Sequence, residues 1–308
     1  MKYLKTSKLF SVLTLLLISA FTFTACDDNG AGSDSGLTVV ETAQESDNFT
    51  ILVEALYDTE LDAALSGPGP FTVFAPTNDA FNALPSGLLE SLTNEQLAQV
   101  LQYHVLAGEI AAGDLESSQA VQTLTEETIY VTVSSEGEVM VNNTAEVINP
   151  NIEASNGIIH AIDGVILPNE FQNIVEIASK NYELSTLVSL VAEAGLVETL
   201  QGDGPFTVFA PTNEAFEEVS STLEGLSAEQ VREVLTYHVA TVEALSTEIA
   251  SNDLTELPTV QGENITITLS GAEVVINGSA GVNEVDLQGT NGVVHIIDSV
   301  LLPPSYTE

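Results

Sequence analysis

The chain has 308 residues, of which 45 are Asp or Glu and only five are Lys or Arg, so its formal net charge is −40. Such a surface repels the phosphate groups on which nucleic-acid binding depends, and nucleic acid is therefore excluded as a partner. The hydrophobic fraction of 44% excludes a wholly disordered chain, and the length predicts two domains. The single cysteine excludes an intrachain disulfide, a cysteine-based zinc cluster and a Cys-x-x-Cys redox site.

Residues 1–25 are typical of a secretory signal peptide. Three basic residues, Lys2, Lys5 and Lys8, precede an apolar stretch that runs from Leu9 to Phe23. The stretch is short and is interrupted by Ser and Thr, which disfavours a transmembrane helix. We therefore expect an exported protein from which this segment is removed.

The signal segment ends in Phe23-Thr24-Ala25-Cys26, which is similar to a bacterial lipobox, although Phe23 replaces the usual aliphatic residue. The resemblance implies cleavage before Cys26, a diacylglycerol on its sulfur and acylation of the new amino group. The three acyl chains that result would hold the protein to a bilayer far more firmly than one chain does. An ordinary cleaved signal followed by a chance cysteine is the alternative.

Residues 26–36 are predicted to form a flexible acidic tether, because they are polar, rich in Gly and without periodicity. The tether would hold the rest of the protein close to the membrane. Whether the lipid lies in the cell membrane or the outer membrane, and whether the protein is exposed at the cell surface, is left open by the sequence.

Cleavage before Cys26 would leave Lys180 and Arg232 as the basic residues beside 45 acidic ones, a net charge of 2 − 45 = −43. Carboxylates at this density repel one another, and salt screens the repulsion. The composition therefore predicts a halophilic protein whose stability rises with salt concentration.

Two motifs occur twice at the same offset, since 206 − 71 and 291 − 156 are both 135. Phe71-Thr-Val-Phe-Ala-Pro-Thr-Asn78 is repeated without change from Phe206 to Asn213, and the segment Asn156–Asp163 recurs as Asn291–Asp298 with conservative changes. A period this long predicts two whole domains, 37–168 and 172–303, rather than a solenoid. The join between them is short, so we expect the domains to pack against each other.

In chain order, the second repeat begins with an amphipathic helix over 184–200, which apolar residues at helical spacing indicate. The segment Phe206–Ala210 predicts a short buried strand that ends before Pro211, and Thr212 is then suited to cap the next helix. A capping box at Ser227–Gln230 predicts the start of a further helix.

The first repeat has a matching capping box at Thr93–Gln96. In the remainder of the second repeat, alternating residues predict a strand at Ile265–Leu269, which returns after a turn as Val274–Ile276. The apolar run Val293–Ile297 predicts a further strand. Helices precede these strands in each repeat, so the predicted fold class is α+β.

The four histidines fall at equivalent positions in the two repeats. His104 and His238 each extend an apolar stripe at the C-terminus of a helix, so we expect both to point toward the core, where the helix dipole would favour a proton. His160 and His295 lie inside apolar strands, and we predict that they tie backbone groups together.

The motifs point to neither a metal site nor a catalytic site. The histidine spacings of zinc sites, the Gly-x-Ser-x-Gly elbow and the Gly-rich phosphate loop do not occur in the sequence. We therefore expect no catalytic residue, no metal and no cofactor.

Taken together, the motifs resemble the fasciclin (FAS1) domain. Its first, middle and last conserved boxes are matched in order, in both repeats, by the Phe-Thr-Val-Phe-Ala-Pro-Thr-Asn, Tyr-His and Asn-Gly segments, over almost all of residues 37–303. The resemblance implies two tandem FAS1 domains of α+β class, each a β-sandwich-like wedge with packed helices. It also implies a non-enzymatic role in extracellular or cell-surface adhesion.

In animal members of this family the Tyr-His segment is linked to integrin binding. Tyr103-His104 and Tyr237-His238 match it, so the resemblance implies an interaction motif, whereas their helical spacing favours a structural, packing role. Both interpretations stay open at this point. Bacteria have no integrins, so this particular partner does not transfer.

The leading hypothesis is a lipoprotein that adheres to an extracellular protein or polysaccharide. Calcium ions that bridge its carboxylates to an anionic partner are one route to such binding. The alternative is a periplasmic protein that maintains envelope structure or a partner complex. A hydrolase with two catalytic carboxylates is a third hypothesis, and no motif supports it.

Overall fold

The structure, a computed structural model, describes residues 36–251, 255–270 and 273–306. The predicted signal peptide, Cys26 and the tether as far as Ser35 lie outside the described residues. Within the described ranges, no helix is long and apolar enough to span a bilayer.

Each domain begins with helices and adds further helices between its first two strands. The first domain contains α1 Val39–Gln44, α2 Thr50–Asp58, α3 Leu61–Leu65, α4 Asn78–Asn82, α5 Leu88–Ser91 and α6 Asn94–Tyr103. The second contains α7 Ile174–Lys180, α8 Ser185–Glu193, α9 Val197–Leu200, α10 Asn213–Glu218, α11 Ser220–Leu223, α12 Ala228–Tyr237 and α13 Ser246–Ala250.

The strands follow the same order in both domains. The first domain contains β1 Phe71–Pro76, β2 Val105–Ala107, β3 Ser118–Gln122, β4 Thr128–Val133, β5 Val139–Val141, β6 Ala145–Ala154 and β7 Gly157–Ile162. The second contains β8 Phe206–Pro211, β9 Val239–Ala240, β10 Glu256–Pro258, β11 Asn264–Ser270, β12 Glu273–Ile276, β13 Ala280–Gly289 and β14 Gly292–Ile297.

The predicted helix starts are confirmed. The hydroxyl of Thr93 accepts the amide N–H of Gln96, while the Gln96 side chain accepts the amide N–H of Thr93, and Ser227 and Gln230 make the same reciprocal pair. Thr212 caps α10 by accepting an amide of its first turn. Each cap satisfies N–H groups that a helix start otherwise leaves without an intrahelical partner.

The prediction of one helix over 184–200 is wrong. The segment holds the end of a 3-10 turn, Tyr182–Leu184, followed by α8 and α9, which are separated around Gly195 with its φ of +65°. Glycine adopts this left-handed conformation without the steric cost of a side chain. The buried apolar stripe continues from Leu187 through Leu200 across the break, so hydrophobic periodicity did not reveal it.

The strands described in each domain form one seven-stranded sheet. The order is β2-β1-β7-β6-β5-β4-β3 in the first domain and β10-β11-β12-β13-β14-β8-β9 in the second. All neighbours are antiparallel except β1 with β7 and β8 with β14, which are parallel. The prediction that β8 ends before Pro211 is wrong, because Pro211 is the last residue of β8 and pairs with Ile297. Proline has no amide N–H to donate, and the next residue supplies the hydrogen bond: the Thr212 amide donates to the Ile297 carbonyl at 3.1 Å.

The long strands β6 and β13 bend each sheet. The pairing of β6 with β7 shifts register between Val147 and Asn149 and again between Asn149 and Ile152, and β13 shifts twice against β14. Bulges of this kind kink a strand and increase its twist. The parallel pair and the β3-β4-β5 ribbon therefore form the two arms of a wedge.

Each domain has two apolar clusters. The first cluster packs the N-terminal helices against the parallel strand pair, and in the first domain it includes Val39, Leu52, Phe81, Leu101 and Ile159. The second cluster joins the other face of that pair to the ribbon, and it includes Phe74, Tyr103, Ile129, Val141 and Ile162. The second domain has equivalent clusters.

The repeated Asn-Gly pair sets the start of β7 and of β14. The Asn156 Oδ1 accepts the Val39 amide, and its Nδ2 donates to two carbonyl oxygens at and just beyond the end of α3, all at 2.8 Å. A Cβ at Gly157 would lie 2.1 Å from the carbonyl oxygen of Phe71, so a side chain there would force β7 away from β1. Asn291 repeats all three bonds in the second domain.

Candidate functional site

His104 and His238 are buried at the C-termini of α6 and α12, where each ring links two backbone groups. The Nδ1 of His104 lies 2.7 Å from the Val100 carbonyl oxygen, and its Nε2 lies 3.1 Å from the Ile166 amide nitrogen. A neutral ring with its proton on Nδ1 donates to the first group and accepts from the second. His238 makes the two equivalent bonds, each at 2.8 Å.

The expectation that the helix dipole favours a proton on His104 and His238 is wrong. Both side chains are about 1% exposed, and burial lowers the pKa of both to about 4, although the hydrogen bond to the helix carbonyl opposes the shift. The free-energy cost of removing an imidazolium from water exceeds the stabilisation that the helix dipole gives to a positive charge at a helix C-terminus. A second proton, on Nε2 of His104, would also face the Ile166 amide.

His160 and His295 hold the bulged strands in place. The Nε2 of His160 lies 2.9 Å from the Ile110 carbonyl oxygen, and its Nδ1 accepts the amide of Asn151, a β6 residue with φ of +58°, at 3.2 Å. This pair of bonds requires the other neutral tautomer, with the proton on Nε2. His295 is bonded in the same way, and burial lowers the pKa of both rings.

The Tyr103 hydroxyl lies in a set of polar groups that we call the first tyrosine cradle, formed by Tyr103, Asn142 and the carbonyl of Thr128. The hydroxyl donates to the Thr128 carbonyl oxygen at 3.0 Å and accepts the Nδ2 of Asn142 at 3.1 Å. Asn142 adopts a left-handed conformation with φ of +54°, and its Oδ1 accepts the Tyr130 amide at 2.8 Å. The amide group of Asn142 is therefore held in one orientation.

Lys180, from the end of α7 in the second domain, occupies the first cradle. Its Nζ donates to the Tyr103 hydroxyl at 3.0 Å, and the side chain is only 3% exposed. Burial lowers the pKa of the ammonium to about 8, while the carboxylates of Glu127 and Glu284 oppose that shift. Glu127 is itself held by the Asn169 amide at 3.0 Å.

Two further contacts join the domains beside Lys180. The Nδ2 of Asn143 donates to the Ser179 carbonyl at 3.0 Å. The rings of Tyr130 and Tyr182 meet edge to face with their centroids 5.9 Å apart. The prediction that the two domains pack against each other is confirmed.

The second domain repeats this arrangement as a second tyrosine cradle, formed by Tyr237, Asn277 and the carbonyl of Asn264. The Tyr237 hydroxyl donates to the Asn264 carbonyl oxygen at 3.1 Å and accepts the Nδ2 of Asn277 at 2.9 Å. Asn277 also has a left-handed φ, of +51°, and its Oδ1 accepts the Thr266 amide at 2.9 Å.

A cleft of about 400 Å³ lies over the second cradle. Its lining includes Tyr237, Asn264, Thr266, Asn277, Ser279 and Leu302. Thr266 has the position that Tyr130 has in the first domain, and the smaller side chain leaves room at the cleft. Where the first domain receives Lys180, the second domain therefore presents an open surface.

A second, acidic cleft of about 570 Å³ lies elsewhere on the second domain, and its lining includes Glu183, Glu214, Glu218 and Asp298. Across the part of the chain that the structure describes, no three His, Cys, Asp or Glu side chains are grouped so that they could hold a metal ion.

The four residues of the two predicted Tyr-His motifs lie in the interior, where each is at most 1% exposed: Tyr103, His104, Tyr237 and His238. No motif in the sequence points to Lys180, Asn142 or Asn277. A signal for Lys180 was available, because it is one of two basic residues beyond position 8 and stands where the first repeat has Glu45.

The histidine bridges predict an acid-sensitive fold. Because the pKa of His238 is about 4 in the folded chain and about 6.5 when unfolded, its stabilising contribution is complete above pH 6.5 and is lost as the pH falls toward 4. The loss at pH 4 is about 3 kcal/mol for this ring. We expect the difference in unfolding free energy between wild type and His238→Gln to shrink by that amount from pH 7 to pH 4.

Urea denaturation of the two proteins at a series of pH values measures this difference. Comparison with the variant removes the effect of the carboxylates, which titrate in both proteins. A difference that stays constant from pH 7 to pH 4 would show that His238 is not held neutral by its backbone bonds.

The buried lysine predicts a site-specific response to charge reversal. Lys180→Glu would place a carboxylate beside Glu127 and Glu284 in a buried site, so we expect a loss of about 3–5 kcal/mol in the free energy of unfolding. Arg232→Glu is the matched control, since it makes the same charge change at an exposed residue whose Nη1 donates to the Ala194 carbonyl. We expect it to change stability by about 0.5 kcal/mol or less.

Calorimetry of both variants checks the prediction, and domains uncoupled by Lys180→Glu would melt in two transitions. Equal losses in the two variants would mean that net charge, and not the junction, sets the effect.

The sequence model of the Fasciclin domain family matches residues 47–168 and 182–303 of this chain. Transforming growth factor-beta-induced protein ig-h3 from Sus scrofa is 32% identical over 254 residues, which cover 80% of this chain and 36% of that protein. Protein sll1483 from Synechocystis is 47% identical over 142 residues, which cover 45% of this chain and 77% of that protein. The chain thus spans about a third of the length of the ig-h3 relative.

A solved structure of a FAS1 domain pair from the insect cell adhesion molecule Fasciclin I is similar in fold. Its TM-score is 0.61 at 21% sequence identity, and the match covers 82% of this chain and 96% of that one. Both halves of the chain therefore have the same α+β architecture as that pair. With the family model matched twice, the chain belongs to the fasciclin family and contains two tandem FAS1 domains.

Proposed function

We propose that this protein is a non-catalytic adhesion protein of the bacterial envelope, held by a lipid on Cys26, that binds an extracellular protein or polysaccharide. The observation that carries the proposal is the double match to the fasciclin family. Membership of this family implies a role in adhesion. The docked domains support it, because surfaces in a fixed relative orientation lose less conformational freedom when a partner binds.

The chemistry of the histidines favours binding over catalysis. His104, His160, His238 and His295 each use both ring nitrogens in bonds to backbone groups of their own domain. A general acid or base must exchange its proton with a substrate, and these rings have no nitrogen left for that exchange.

The charge of the surface limits the chemistry of the partner. A protein with a formal charge of −40 binds basic groups directly, or binds anionic polymers through bridging cations. Calcium is suited to such bridges because carboxylate oxygens are its preferred ligands. In this proposal calcium acts between the two surfaces, linking carboxylates of this protein to anionic groups of the partner.

Lipid anchoring is tested by Cys26→Ser. We expect wild-type protein to partition into detergent and with membranes, and the variant to be found in the aqueous fraction, because the thioether cannot form. Ser33→Ala, which leaves the cysteine intact, is the control.

Unchanged partitioning of Cys26→Ser would contradict the anchor.

Protease treatment of intact cells distinguishes the two proposed locations of the wild-type protein. Cleavage indicates a surface adhesin, and protection until the outer membrane is opened indicates the periplasmic envelope protein.

Adhesion is tested with cells that display the protein on immobilised matrix proteins and anionic polysaccharides at fixed ionic strength. We expect millimolar calcium to increase attachment more than magnesium does, since magnesium gives up its water shell reluctantly. Cells without the protein supply the background. Attachment that is indifferent to calcium and persists at high salt would indicate a direct, largely uncharged contact instead.

A further inference from the structure

The two tyrosine cradles are the same arrangement in different states. Tyr103 and Tyr237 each donate to a carbonyl oxygen on the first residue of the equivalent strand, β4 or β11, and each accepts the Nδ2 of an asparagine with a left-handed backbone. The first cradle receives the ammonium of Lys180 as a third bond. The second cradle lies under an open cleft.

The second cradle keeps a place for that third bond. The Tyr103 hydroxyl donates one hydrogen bond, to Thr128, and accepts two, from Asn142 and Lys180. Among the described residues, the Tyr237 hydroxyl donates to Asn264 and accepts from Asn277, so one acceptor position is unused. Tyr237 as a whole is 0% exposed, so its hydroxyl lies just beneath the surface of the cleft, beside Asn264 and Asn277, which bond it and line the cleft.

One of the two carboxylates near the first cradle, Glu127, has a counterpart at the second cradle. Glu263 precedes β11 as Glu127 precedes β4, and it is close enough for its charge to add to the effect of burial in raising the pKa of the Tyr237 hydroxyl. At the first cradle the carboxylate of Glu127 stabilises the Lys180 ammonium. A buried hydroxyl acceptor with a nearby carboxylate is a set of groups that recognises a cation with hydrogen-bond donors.

We propose that the cleft over the second tyrosine cradle binds the ammonium group of a lysine side chain presented by a partner protein. The ammonium donates to Tyr237 as Lys180 donates to Tyr103. The methylene stem lies against the apolar part of the cleft, which includes Leu302. The inference rests on the proposed binding role and gives it a site and a ligand chemistry.

The equivalent segment of a second copy lacks the lysine that the cleft would bind. The segment that docks on the first cradle is the end of α7, and its equivalent at the end of α1 carries the exposed Glu45 in place of lysine. Lys180 itself is buried in the junction of its own chain. Docking of α1 would bring Glu45 toward Glu263, and like charges repel at such a contact.

The internal ligand supplies the probe for the test. A blocked peptide, acetyl-Ala-Ser-Lys-Asn-Tyr-amide, copies residues 178–182, and a matched peptide carries norleucine in place of lysine. Each is titrated into the purified, isotope-labelled chain while the backbone amide signals of residues 277–279 are followed by NMR. We expect saturable shifts with the lysine peptide and binding at least roughly tenfold weaker with norleucine, because the charge-assisted bond is lost.

Two variants test whether the lysine peptide binds in this cleft. Tyr237→Phe removes the acceptor, and we expect a similar loss of affinity. Ser279→Trp fills the cleft from an exposed turn residue, so it tests the site even if Tyr237→Phe impairs folding, and Ser221→Trp, on the exposed surface of α11, is its control. Equal binding of the two peptides, or binding that survives Ser279→Trp, would overturn the proposal.

Two other occupants are outcomes of the same experiment, and either would replace the proposed one. Peptide binding no tighter than that of n-butylamine would assign the cleft to free amines. Self-association that Ser279→Trp abolishes, measured by sedimentation, would assign it to a second copy. Because the readout is direct binding to purified protein, it is independent of cell adhesion, so failure of either proposal can be recognised without the other.

Discussion

The parallel pairing of β1 with β7, repeated by β8 with β14, is the constraint on which the rest of each domain depends. It joins the two motifs of each repeat, which lie about eighty residues apart in the chain, along six paired positions. The pair can form only because Gly157 and Gly292 have no side chain at the point of closest approach. The adjoining Asn156 and Asn291 then fix the first and third helices to the same place. Helices pack on one face of this pair, and the bent ribbon packs on the other.

Each histidine secures an element to this centre without carrying charge. His160 and His295 bind the bulged strands to the parallel pair. His104 and His238, each at the end of a helix, bind the segment that comes after the last strand of the domain. Burial keeps the rings neutral, and the two pairs require opposite tautomers. A fold so rich in carboxylates thus uses its histidines as neutral connectors, and its charges lie mainly on the surface.

The junction between the domains shows how an acidic protein uses a scarce cation. Lys180 is the only lysine beyond position 8, and it is buried where its ammonium meets the Tyr103 hydroxyl near two carboxylates. Removing an ammonium from water is costly, and the hydroxyl and the carboxylates offset part of that cost. The same hydroxyl arrangement in the second domain faces a cleft, so the two domains are equivalent in fold and differ in what covers the cradle.

Much of this could be predicted from the sequence alone, because its signals are local. The repeat, the capping boxes at Thr93 and Ser227, the α+β class and the family resemblance all follow from residues that are adjacent or at helical or strand spacing. The break at Gly195 was missed because the apolar stripe continues across it. The protonation state of His104 and His238 was mispredicted because the helix dipole can be read from local sequence, whereas desolvation depends on packing from distant segments. The tyrosine cradles and the burial of Lys180 were decided by tertiary structure, since they join residues 39, 40 and 77 positions apart whose proximity no local pattern encodes.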